Sequence, residues 1–179
     1  MRLQNIRTPA SGYFLRPLKT LKPLLHSTLT AFARAILDTP WFGKEREAVS
    51  YYAFGFLVKA CKPNTWLHDP GQLAIEGRIP GTLSHSKKQV CKDLVIWPAP
   101  GTNCWAGPNK AVHVPLAIIE WKADSDTLFE EDITKMQEYT TSYPDLLGVV
   151  VTFNAKKKTV LRAAKVLNGV VEREWLVVS

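Results

Sequence analysis

Lys92-Asp93-Leu94-Val95-Ile96-Trp97 and, after a gap, Pro115-Leu116-Ala117-Ile118-Ile119-Glu120-Trp121-Lys122-Ala123 decide the fold. Both runs are apolar, rich in Val, Ile and Trp, and too short for typical helices, so they read as buried β-strands. Each carries charge where a buried strand should carry none: Asp93 near the start of the first, Glu120 and Lys122 near the end of the second. Alternation along a strand sends Glu120 and Lys122 to the same side, one pleat apart. If the two strands are neighbours, three ionisable groups meet at one spot on a sheet. Buried charge is costly unless it is paired or holds an ion.

Outward from this pair, Leu73 to Ile79 alternates as a strand does, and Pro80-Gly81 turns it into a polar loop at Ser84 to Lys88. Val90 to Trp97 is the second strand. Pro98 to Lys110, crowded with Pro, Gly and Asn, is a long exposed loop with Trp105 near its tip. Val112 to Ala123 is the third strand. After Asp124-Ser125-Asp126 a helix is expected from Thr127, with Glu130 placed for a capping box. Its apolar face is Phe129, Ile133, Met136, Thr140 and Tyr143, with Asp132 and Lys135 on the flank, and Tyr143-Pro144 stops it. Leu146 to Phe153 is an unbroken apolar run, hence a strand covered on both faces. Val160–Leu167 and Val170–Val178 flank Asn168-Gly169, a strong type I′ hairpin signal.

Upstream, Thr39-Pro40 offers an N-cap followed by Pro at the first helical position, for a helix running to about Cys61. On a wheel of about 100° per residue, Glu45 falls within its apolar face and Glu47 opposite, on ordinary surface. Residues 1–37 hold no Asp or Glu but do hold Arg2, Arg7, Arg16, Lys19, Lys22 and Arg34. That composition also suits an organelle transit peptide. The reading preferred is a basic N-terminal arm over residues 1–39, with a short helix at Ser27 to Leu37, ahead of a single domain at 40–179. The order helix, three strands, helix, strand, hairpin gives an α/β fold with a mixed central sheet flanked by helices.

Composition bounds the function. With 179 residues the chain can bury a substantial core. No apolar run reaches the ~20 residues that cross a bilayer, so no membrane partner is expected. A net charge of +7 and a pI near 9.4 favour a polyanionic partner, nucleic acid first. Cys61, Cys91 and Cys104 are odd in number and widely spaced, which fits a reducing cytoplasm and neither a disulfide framework nor a zinc site. His26, His68, His85 and His113 are scattered, and His68-Asp69 beside Pro70-Gly71 reads as a turn. Trp105, Lys110 and the Lys156 to Lys158 turn read as exposed loop residues.

Two carboxylates offering oxygen suit Mg²⁺ or Mn²⁺, and the Trp121 carbonyl lies between Glu120 and Lys122 as a further oxygen. Lys122 beside such an ion is placed to orient or deprotonate a water, or to neutralise charge on a phosphate. Glu45 could approach from its helix as an outer ligand through water.

Asp93, then Glu120-Trp121-Lys122, preceded by Glu45 on a helix and followed by a helix bearing Lys135, resembles the PD-(D/E)XK nuclease superfamily. The resemblance covers residues from about Pro40 to Phe153. It implies a restriction-endonuclease-like αβββαβ core and Mg²⁺-dependent hydrolysis of phosphodiesters, DNA ahead of RNA. By the same resemblance Asp93 and Glu120 are metal ligands, Lys122 the catalytic lysine, Glu45 the helix carboxylate and Lys135 a helper on the second helix. Lys92 departs from the pattern, standing where the motif has Pro. Three functions follow: a metal-dependent endonuclease; a non-cleaving nucleic-acid-binding or partner-docking module of the same fold; or the nuclease subunit of a transposition-type assembly, with the basic arm as docking element. A homodimer is a further possible partner state. The inert alternative is an Asp93/Lys122 or Glu120/Lys122 ion pair at the sheet edge.

Overall fold

A computed structural model describes residues 15–39, 41–82, 89–107, 110–125, 127–156 and 161–179. Six strands form one mixed sheet whose spatial order follows the chain: β1 (Leu73–Pro80), β2 (Gln89–Ile96), β3 (Ala117–Ala123), β4 (Leu147–Phe153), β5 (Leu161–Leu167) and β6 (Val170–Val178). All neighbours are antiparallel except β3 and β4, which are parallel and joined by the helix Glu130–Ser142. This is the α/β class and the mixed sheet expected. The crossover arises because two apolar runs, each buried on both faces, cannot be hairpin-linked across an amphipathic helix. The turn between β5 and β6 has Asn168 at φ 49° and Gly169 at φ 72°, the two left-handed residues of a type I′ turn.

Helices cover both faces. On one lie α1 (Leu15–Asp38) and α2 (Glu45–Tyr52), which runs through a π-helical turn at Ala53–Leu57 into α3 (Val58–Ala60). On the other lies α4, the crossover helix Glu130–Ser142. The α1 side is the larger core, built from Leu21, Leu25, Leu29, Phe32 and Ile36 of α1 against Leu94, Ile96, Ile119, Trp121, Val149 and Val151 of the sheet. The α4 side is smaller, with Ile133, Met136 and Tyr139 on Val95, Ile118 and Val150.

Several sequence expectations change here. The N-terminal helix is 24 residues long rather than confined to 27–37, because Leu21 and Leu25 extend its buried stripe upstream. It runs through Pro23, whose exposed position leaves the missing donor on the water side. Its buried face is part of the main core, across the division drawn at 39/40. The next helix begins at Glu45, not at Thr39-Pro40. Trp41 Nε1 donates to the Gly43 carbonyl at 2.8 Å within the non-helical residues 41–44, and Glu47 accepts from the Lys44 amide at 2.6 Å. Glu47 is thus a cap of the first turn rather than idle surface. The third strand starts at Ala117, five residues later than read.

The helix expected from Thr127 starts at Glu130, and Glu130 closes no capping box. Its carboxylate instead pairs with Arg173 of β6 at 2.5 and 2.8 Å. Trp105 is half-buried against the α4-side core, in an isolated bridge with Ala111, and the neighbouring Cys104 is buried. The 98–110 loop is therefore folded back, not free. The three cysteines are unpaired, as read. The whole Ser84 to Lys88 loop, with Arg2, Arg7, Pro40, Lys157 and Lys158, lies outside the described residues.

Where α4 crosses β4, Gly148 sets the approach. A Cβ there would stand 2.2 Å from Met136 Cγ and 2.5 Å from its Sδ. Gly148→Ala is expected to destabilise the fold by about 1–3 kcal/mol, the usual range for overpacking a filled core. A urea titration reads this as a lower midpoint, and an unchanged midpoint would mean that α4 rides further from the sheet.

Candidate active site

The site is made by a fault in the sheet. In a regular strand residues two apart share a face. In β2, Leu94 and Ile96 face the α1-side core, yet Val90 packs on the α4 side and Lys92 lies over Tyr139 of α4. In β1, Ile75 packs on the α1 side and Ile79 on the α4 side. Both strands therefore exchange faces midway, at Glu76 and Asp93. The ladder pairs Ile75 with Leu94 and Gly77 with Lys92 but skips the residues between, and Glu76 takes a left-handed φ of 51°. Gly77 permits the crowding: a Cβ there would lie 2.7 Å from Val95 Cγ2. On the other edge, the β2–β3 ladder is paired only from Leu94 to Ile96, and beyond it the strands part.

Asp93 sits at that parting. Its Oδ2 accepts from the Trp121 amide at 2.7 Å, a side chain taking the place of a ladder bond. This anchors the carboxylate beside the end of β3, where Glu120 and Lys122 emerge on the α4 side. Glu120 is mostly buried, and Lys92 donates to its Oε1 in a tight ion pair. The Glu120 carboxyl is pushed up to about 7, chiefly by burial. The charge and hydrogen bond of Lys92 act downward and those of Asp93 add upward, so the two carboxyls are in reach of each other.

Lys122 donates to the Trp121 carbonyl at 3.0 Å and stands between two carboxylates, Glu45 Oε1 at 3.9 Å and Asp132 Oδ2 at 3.8 Å. Glu45, the first residue of α2, also accepts from the Ala123 amide at 3.3 Å, tying α2 to the end of β3. Its place at a helix N-terminus favours its charge.

The contacts thus join Asp93 to Glu120 and Glu120 to Lys92, and Lys122 to Glu45, Asp132 and the Trp121 carbonyl. Lys135 is not in contact with them. It is partly exposed and pairs with Glu131 one turn back at 2.6 Å, feeling Glu120 and Asp132 only through their charge. Neither inert pair considered from the sequence forms, since the partner of Glu120 is Lys92 rather than Lys122. Two residues were missed as site members. Asp132 was visible on the flank of the α4 apolar face; its Oδ2 is buried and makes no hydrogen bond. Lys92 was visible as a lysine opening a buried run, and only the face exchange at Asp93 carries it inward. The three described histidines stay away: His26 meets Trp175 edge-on, His68 meets the Thr65 carbonyl and His113 the Asn103 carbonyl. Asp69 caps a turn by accepting from Gly71 at 2.7 Å, as its Pro-Gly context implied.

Among the described residues no three His, Cys, Asp or Glu side chains converge as a ligand set. The donors available are two carboxylates and one carbonyl, which fits a hard divalent ion that keeps most of its waters and does not fit zinc. Asp132 Oδ2 is buried without a hydrogen bond, its nearest cation being Lys122 at 3.8 Å. Among the described residues no helix is long and apolar enough to cross a membrane. The chain matches no protein-family model, no curated protein and no solved structure.

Proposed function

We propose that the chain is a metal-dependent endonuclease that hydrolyses phosphodiester bonds, in DNA before RNA, with a restriction-endonuclease-like core. One observation carries the reading: Asp93, held on the Trp121 amide, reaches Glu120 where β2 and β3 part, and Lys122 lies on the Trp121 carbonyl next along β3. The αβββαβ order of α2, β1 to β3, α4 and β4 is the one the resemblance requires, and the charge of +7 suits a polyanion.

In this reading Asp93, Glu120 and the Trp121 carbonyl hold Mg²⁺ or Mn²⁺. When bound, that ion supplies Lewis-acid polarisation of the phosphate and acidifies a water. Lys122, fixed by Trp121 O and by Glu45 and Asp132 on either side, orients the attacking water and offsets charge gathering on the phosphoryl oxygens. Glu45 keeps Lys122 and the end of β3 in register. Lys135 can act only after leaving Glu131.

The test is a cleavage panel over single-stranded, duplex and branched DNA and RNA, with Mg²⁺, Mn²⁺ or EDTA. Cleavage is expected with either ion and none with EDTA. Because a proton competes with the ion for Glu120, divalent affinity should fall about tenfold per pH unit below the carboxyl value, which stands near 7. Calorimetric titration from pH 6 to 8 measures this, and a flat profile would remove Glu120 from the ligand set. A second reading is favoured by the buried Lys92–Glu120 pair: a module of this fold that binds nucleic acid without cutting it. Binding without cleavage under every ion would select it.

A further inference from the structure

We propose that Lys92 is the resident cation of the resting site, occupying Glu120 until a divalent ion displaces it. The inference rests on the nuclease reading of Asp93 and Glu120. The side chain of Lys92 is only 6% exposed and that of Glu120 15%, so this is not a solvated surface pair. The ammonium also lies 4.8 Å from the centre of the Tyr139 ring, on the α4 side. The other nearby ammonium, Lys122, is taken up by Glu45, Asp132 and the Trp121 carbonyl. Lys92 is therefore the cation in direct contact with Glu120.

A buried ion pair is strongly destabilised when one partner alone is removed, because the other charge stays behind without compensation. A divalent ion held by Asp93 and Glu120 would sit beside the Lys92 ammonium, and like charges at that range in a buried setting repel strongly. The two cations therefore compete for one carboxylate. The exchange of faces at Asp93 delivers this arrangement: had β2 kept its alternation, Lys92 would share the face of Leu94, away from Glu120.

The experiment is calorimetric titration of Mn²⁺ into the metal-stripped full chain and its Lys92→Met, Lys92→Gln and Lys92→Arg variants, paired with melting curves in EDTA and in Mn²⁺. Lys92→Gln keeps a hydrogen-bond donor and covers the case in which Lys92→Met fails to fold. Removing the ammonium should tighten Mn²⁺ about tenfold or more, within the usual range of coupling between competing ligands. It should also lower the melting temperature in EDTA and enlarge the rise that Mn²⁺ produces. Lys92→Arg keeps the positive charge and should bind Mn²⁺ no tighter than the parent. If the parent binds Mn²⁺ and cleaves DNA while Lys92→Met and Lys92→Gln bind it no tighter, the resident-cation role is overturned alone. If neither parent nor variants bind Mn²⁺ and the parent does not cleave, it falls together with the nuclease reading.

Discussion

Glu120→Ala, Asp93→Ala and Lys122→Ala should each lower divalent-dependent cleavage by about 10³-fold or more, the scale on which electrostatic and metal-ion catalysis operates. The three losses have different origins. Glu120→Ala removes the buried carboxylate and leaves Lys92 without its partner. Asp93→Ala removes the proposed second ligand and also the acceptor of the Trp121 amide, so the end of β3 loosens as well. Asp93→Asn separates these effects: it keeps an acceptor for that amide and discards the charge, so it should fold normally and still fail to cut. Lys122→Ala leaves both carboxylates in place and should retain metal binding while losing turnover. Initial rates on a duplex substrate, with circular dichroism as the folding control, decide the matter. Cleavage unchanged in all three variants would exclude this site.

The second large effect concerns stability. Phe32 of α1 is fully buried and lies edge-on to Trp121 at 5.2 Å, Tyr52 at 5.7 Å and Phe153 at 6.1 Å between ring centres. It therefore joins the first helix, the second helix and both central parallel strands. Phe32→Ala should cost about 3–5 kcal/mol, from lost transfer energy and the cavity left behind. That is a large share of the 5–15 kcal/mol that holds a typical domain together. A urea denaturation midpoint measures it. A loss below about 1 kcal/mol would mean that the site collapses easily around the gap and that α1 is an accessory arm after all.

The parts of this fold legible in the sequence are those where one local rule decides. The Leu147–Phe153 run, apolar but for Thr152, is a strand covered on both faces, and Asn168-Gly169 turns with both residues left-handed. The parallel β3–β4 pair followed from a helix lying between two buried runs. Glu120 and Lys122 were placed on one side by simple alternation, and Glu120 lies within reach of Asp93. Where the reading failed, a distant contact had overridden the local signal. Pro23 and a basic composition disguised a long core helix, since its stripe has meaning only against the aromatic rings it meets. Thr39-Pro40 looked like a helix start, but Trp41 bonds to Gly43 and the chain stays non-helical to Lys44. Alternation also gave no warning that β1 and β2 would exchange faces, because that depends on paired distortions at Glu76 and Asp93. Lys92 was consequently noticed as a departure from a motif and not as the partner of Glu120.

The plan of the sheet also bears on how the chain is built. Its strands lie side by side in the order of synthesis, so each can pair with its predecessor as it emerges. The exception is α1, whose His26 meets Trp175 on the last strand, edge to face at 5.6 Å. Domains tend to form during translation once their contacts are available. Helix α1 precedes every strand it packs on, so its Leu and Phe stripe stays uncovered until β2, β3 and β4 are in place, and its contact with Trp175 completes only with β6.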